Sequence, residues 1–167
     1  MAFSKNNMEN IRFDDPILHL TKKNQAYLER SWAGFFASEI FPKIDEDRFS
    51  PLYCGRQIGR YNNPVNQIVG CLLLKDLFRL SDEQLAAETA LDIRYKYAMH
   101  CTDKSGSILT AAALSRFRNR NSAYKRKTGT DLLLEEYRSL RKPLSDFIKK
   151  YKVTPRANTK LHRALLE

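Results

Sequence analysis

The feature that most constrains the fold is the run opened by Asn63-Pro64, in which Val65, Ile68, Val69, Leu72, Leu73 and Leu77 recur at helical spacing. Asn at the cap and Pro at the first helical position mark its start, and the spacing predicts a helix over 64–79 that forms the centre of the core. A helix this apolar needs other helices to cover it, and the chain supplies them. Leu28, Trp32, Phe35, Phe36 and Ile40 form one stripe over 24–41, ended by Pro42. Ser81-Asp82-Glu83-Gln84 matches a capping box that opens a short helix to about residue 90, and Asp92 caps another through Ile93, Tyr97 and Ala98. Thr110 caps a helix over 111–125, with Leu114 and Phe117 facing inward. Gly129-Thr130 separates it from a helix over 131–151, striped by Leu133, Tyr137, Leu140, Leu144, Phe147, Ile148 and Tyr151, with a kink or break expected at Pro143.

Few stretches alternate with period two. The expected fold is therefore all-α: a compact bundle of six or seven helices, with a helix-turn-helix-like basic helix and a long C-terminal helix. Residues 1–21 read as a loosely ordered lead-in, 22–128 as the helical domain, and 129–167 as a basic helical extension and tail. Residues 43–63 lack periodicity and read as a long ordered loop.

Charge narrows the function. Residues 1–103 carry 13 basic and 14 acidic side chains, whereas residues 104–167 carry 16 basic and 5 acidic, within a total of +10. A near-neutral part joined to a strongly basic part points to a polyanionic partner on one side of the molecule. The longest apolar stretch, around Ile68–Leu74, falls short of the about 18 residues of a membrane span. Three widely spaced cysteines, Cys54, Cys71 and Cys101, suit reduced thiols in a cytoplasmic protein.

No catalytic constellation stands out. The acidic pairs sit where helix starts or solvated faces want them. His100-Cys101 has no third ligand at metal spacing, so no cofactor and no metal is expected. The segment 110–127 is different in kind. It holds Arg116, Arg118, Arg120, Lys125, Arg126 and Lys127 and no acid. Its first turn is small, which lets backbone approach a groove wall or phosphate. Arg116 and Arg120, four apart, share a face, while Arg118 points elsewhere. Ser115, Asn119, Asn121 and Ser122 add neutral groups able to reach bases or sugars. Arg56 and Arg60 in the long loop offer a second contact. The DNA-binding candidates are thus Thr110, Ser115, Arg116, Arg118, Asn119, Arg120, Lys125, Arg126, Lys127, Arg56 and Arg60.

An ordered series carries a resemblance: Gly59-Arg60-Tyr61-Asn62-Asn63-Pro64, the apolar helix after it, Leu80-Ser81-Asp82-Glu83-Gln84-Leu85, Asp92-Ile93-Arg94-Tyr95-Lys96-Tyr97, and Leu114-Ser115-Arg116-Phe117-Arg118. Over about residues 35–125 it resembles the N-terminal domain of bacterial insertion-sequence transposases of the InsH-like kind. The resemblance implies a domain that helps bind the terminal inverted repeats of a mobile element and precedes an RNase-H-like catalytic domain. The chain ends before such a domain fits, so none of its residues inherits the family's metal-binding acids. The expectation is a double-stranded-DNA-binding part of a transposase, not catalytic by itself. The alternative is a subunit-assembly module, a two-fold homodimer held through Tyr137, Phe147 and Tyr151.

Overall fold

The computed structural model describes residues 2–6, 17–53, 62–101 and 109–167. Among them the fold is all-α. Nine α-helices follow in order: α1 (Lys22–Arg30), α2 (Trp32–Phe35), α3 (Val65–Phe78), α4 (Asp82–Leu91), α5 (Ile93–Ala98), α6 (Ala111–Thr128), α7 (Leu132–Ser139), α8 (Arg141–Tyr151) and α9 (Lys160–Leu166).

The central helix is α3. Val65, Val69, Cys71, Leu73 and Leu74 are wholly buried, and so is most of the rest of it. Arg79 closes it in the left-handed region, and Arg156 from far along the chain donates to the carbonyls of Arg79 (2.9 Å) and Leu80 (3.2 Å). A cation on orphaned C-terminal carbonyls is favourable on both hydrogen-bonding and dipole grounds. Burial pushes the Cys71 thiol up, as expected for a structural rather than reactive cysteine.

Three expected starts hold, but that of α3 lies one residue later than expected: Pro64, not Asn63, stands at the cap, and no side chain caps it. Ser81 and Gln84 form both bonds of the capping box, at 3.0 and 2.8 Å. Asp92 accepts from the Arg94 amide, and Thr110 from that of Ala113.

Two expected long helices are broken. The stripe of 24–41 is cut at Ser31, whose hydroxyl accepts from Ala33 N–H and donates to the Leu28 carbonyl, turning its backbone extended. Beyond α2 the chain continues as a π-turn over Phe36–Ile40 and a 3₁₀ turn over Phe41–Lys43. The corner brings the Glu29 carbonyl against Gly34, where an added Cβ would lie 1.9 Å from that oxygen. The second break separates α7 from α8 at Leu140, three residues before Pro143. Proline then occupies the first turn of α8, where its missing N–H costs nothing. One long C-terminal helix is therefore two, and α9 adds a third element.

The start of the lead-in, expected to be loosely ordered, is packed. Ala2 is buried, Phe3 stacks on Tyr53, and the Ser4 amide donates to Asn62. Within 43–63, Asp47–Leu52 forms a 3₁₀ helix whose Phe49 is wholly buried against Phe117. The basic extension shares the same core, through Leu133, Tyr137, Leu140, Leu144, Phe147 and Leu161. Tyr137 and Phe147, expected as anchors of a subunit contact, are thus interior side chains, and the Tyr151 hydroxyl donates to the Ser31 carbonyl.

Candidate nucleic-acid interface

α6 is held from three sides. Thr110 caps its start, Gly129 at φ 80° ends it by donating its N–H to the Lys125 carbonyl, and Ala113, Leu114, Phe117 and Asn121 bury its inner face. Asn121 is wholly buried and satisfied: its amide donates to Asp131 (2.8 Å) and its carbonyl accepts from Leu133 N–H (3.3 Å). This bond pair fixes the α6–α7 corner, so Asn121, expected to reach bases or sugars, works inside the fold instead.

At about 100° per residue, the polar side chains of α6 divide into three rows. On one flank lie Arg118 and Lys125. Arg118 donates to both carboxylate oxygens of Asp82, one at 3.0 Å, and Lys75 reaches the same carboxylate at 2.7 Å. Those bonds, led by the one from Arg118, hold the Asp82 carboxyl down at about 2. Lys125 stands 3.4 Å from Asp131. Although burial of Asp131 works the other way, bonds from Lys160 and Asn121 bring its carboxyl down to about 2.

The outermost row is Ser115, Asn119, Ser122 and Arg126, at a spacing of four, three and four residues. Asn119, Ser122 and Arg126 are exposed. The other flank carries Arg116, Arg120 and Lys127. Arg116 and Lys127 are exposed, and no acid within 4 Å pairs with Arg116, Arg126 or Lys127 among the described residues. Arg120 is half-buried with its guanidinium 5.2 Å from the centre of the Tyr53 ring, which Phe3 backs at 5.7 Å. Tyr53 and Phe3 were not singled out by the sequence reading, because a loop aromatic 67 residues from its arginine leaves no local signal. Asp82 is another such case: its place in the first turn of α4 explains its type, but not that it holds Arg118. Arg56 and Arg60 lie outside the described residues.

Elsewhere, His100 and Glu136 have structural partners. His100 Nε2 lies 2.9 Å from the Ala37 carbonyl, and its ring packs on Phe41. Glu136, wholly buried, accepts from the Asp45 amide (2.9 Å) beside Arg48 (2.7 Å). Among the described residues no three His, Cys, Asp or Glu side chains are grouped to hold a metal ion, and no helix is long and apolar enough to cross a membrane.

No curated protein and no solved structure matches the chain. A family model does: Transposase domain (DUF772), over residues 23–120, from the first turn of α1 to Arg120 in the middle of α6. That match covers more than half of the chain and includes the capping box, the buried α3 and the Ser115–Arg120 segment. The chain belongs to this transposase domain family.

Proposed function

We propose that this chain is a DNA-binding part of a transposase, in which the outer rows of α6 contact duplex DNA at the terminal inverted repeats of a mobile element. One observation carries the reading. Arg116, Arg126 and Lys127 of α6 face solvent with no acid paired to them among the described residues, while the helix that bears them is locked by a buried inner face and a satisfied Asn121. A surface kept only for solubility has no need of such immobility, whereas recognition needs side chains at fixed spacing.

The rows suggest roles. Arg116, Arg126 and Lys127 take phosphates, while Asn119 and Ser115 are the polar groups best placed for base edges or sugars. Arg120, steadied on Tyr53, approaches from the flank with Arg116. Thr110 keeps the first turn of α6 formed. Arg118 and Lys125 act indirectly, by pinning α6 to Asp82 and Asp131. The reading assigns the chain no bond-making step. Four acids have structural roles: Asp82 and Asp131 are held in ion pairs, Asp92 caps α5 and binds Arg94, and Glu136 lies against Arg48. The assembly reading loses its anchors to the core.

The test is fluorescence anisotropy of the chain with a labelled duplex, titrated with salt. Three or four phosphate contacts on α6 give a slope of log K against log salt of roughly −3 to −4. Binding that is flat between low and physiological ionic strength would remove the mechanism.

A further inference from the structure

From a second basic surface, separate from α6, we infer that α8 also grips duplex DNA, holding the phosphate backbone without reading sequence; this rests on the DNA-binding reading above. Arg141, Lys142, Lys149 and Lys150 of α8 and Lys152 just beyond it are all exposed, with Asp146 the one acid among them. None of the five makes an ion pair among the described residues, whereas Lys5, Lys43, Arg48, Lys75, Arg94, Arg118, Lys125, Arg138 and Lys160 all do. Cations that make no ion pair also stand on α1, at Lys22, Lys23 and Arg30, but α8 with Lys152 carries five of them, more than any other helix among the described residues.

The helix that carries them is firmly seated. Leu144 and Phe147 are wholly buried, and Phe147 packs against Phe35 (5.9 Å), Phe36 (6.2 Å), Phe78 (6.3 Å) and Tyr151 (5.0 Å). α6 is fixed instead through Phe49 and Asp82, so the two basic surfaces stand on different supports. Lys142 and Lys149 face outward, seven residues and about 10 Å apart along the helix, within reach of successive phosphates.

Helix electrostatics explain only part of this stripe. Lys149, Lys150 and Lys152 lie at the C-terminal end, where positive charge favours the dipole. Arg141 and Lys142 lie in the first turn of α8, where it is unfavourable, and no acid there offsets them. The α7 end just before them already has Arg138, which pairs with Glu167. Lys142 shares a surface groove with Glu29, Glu39 and Asp146 without an ion pair to any of them, and Arg141 has none among the described residues, so this first-turn charge points to an external anion. A membrane fits less well than a nucleic acid, because the apolar face that would enter the lipid boundary is buried in the core.

The experiment compares three proteins on a labelled random-sequence duplex across a salt series: the native chain, K142A/K149A/K152A, and R116A/R126A/K127A. All six positions are exposed, and thermal melting confirms the fold; Lys→Gln at the α8 positions replaces alanine if melting drops. With α8 in contact, its variant loses about 2 to 3 from the salt slope and on the order of a hundredfold in affinity at physiological salt, alike on unrelated sequences. If the α6 variant weakens binding and the α8 variant keeps the native slope, this inference is overturned while the α6 reading stands. If the native chain shows no salt-dependent binding, both fall. Tighter binding to phosphatidylserine vesicles than to duplex, lost in the α8 variant, would overturn the assignment in favour of a membrane.

Discussion

The two flanks of α6 carry the same kinds of side chain and use them in opposite ways. On one, Arg118 and Lys125 meet Asp82 and Asp131, and their charge is neutralised within the fold. On the other, and along the outer row, Arg116, Arg126 and Lys127 meet no acid among the described residues. The helix period already places Arg116 and Arg118, two apart in the same Arg-Phe-Arg motif, on different faces, but sequence does not show which face is neutralised. What separates them is the helix period together with acids placed 36 residues before Arg118 and six after Lys125. A basic segment is thus not one functional unit, and only its unpaired rows are candidates for DNA.

Substitutions can break or sharpen this contrast. The largest effect is expected on the paired side at Asp131, which caps α7 and receives Asn121, Lys160 and Lys125. Asp131→Ala strands the buried Asn121 amide and two cations. It should cost about 3 kcal/mol in a urea titration. Asp82→Asn keeps the size but loses the charge held by Arg118 and Lys75, with an expected loss of about 2 kcal/mol by the same measurement. Equal stability for either variant would mean that the paired flank does not anchor α6.

Acid should expose the same contrast. The carboxyls of Asp82 and Asp131 sit at about 2, below the usual value near 3.9, so their stabilisation is present above pH 4 and lost as pH falls toward 2. Asp76 behaves oppositely. Burial raises it to about 6 despite nearby Lys75, Arg156 and Arg118, so it disfavours the fold above pH 6 and is relieved as pH falls from 6 to 4. Thermal melting should therefore rise from pH 7 toward about 5 and drop below 4. Asp76→Asn should flatten the upper limb alone. The smallest effect is expected at Lys125→Ala, whose pair is half exposed: stability should change by less than about 0.5 kcal/mol.

Much of the fold was legible because its signals are local. Caps at Ser81, Asp92 and Thr110 act within three residues of themselves, and the stripe of α3 needs only periodicity. The breaks were less so. A stripe reports which face is buried, not whether the backbone is continuous, so Leu28 through Ile40 hid the Ser31 corner. In the same way, Pro143 suggested a break but was itself tolerated, and the helix parted at Leu140. The inner face of α6 followed from Leu114 and Phe117. The period also set Arg118 apart from Arg116 and Arg120, but it did not show which row is paired, because Asp82, Tyr53 and Asp131 reach α6 only through tertiary packing. Arg156, which ties 152–158 to the end of α3, left no trace for the same reason.

The account turns on unequal cations within one motif, and the most direct measurement compares Arg116→Gln with Arg118→Gln for duplex affinity and melting temperature under one salt condition. The account predicts that Arg116→Gln weakens binding by about 1 kcal/mol with melting unchanged, while Arg118→Gln lowers melting and leaves the affinity of the folded protein close to native. Equal losses of affinity from the two, with no loss of stability at Arg118, would contradict it.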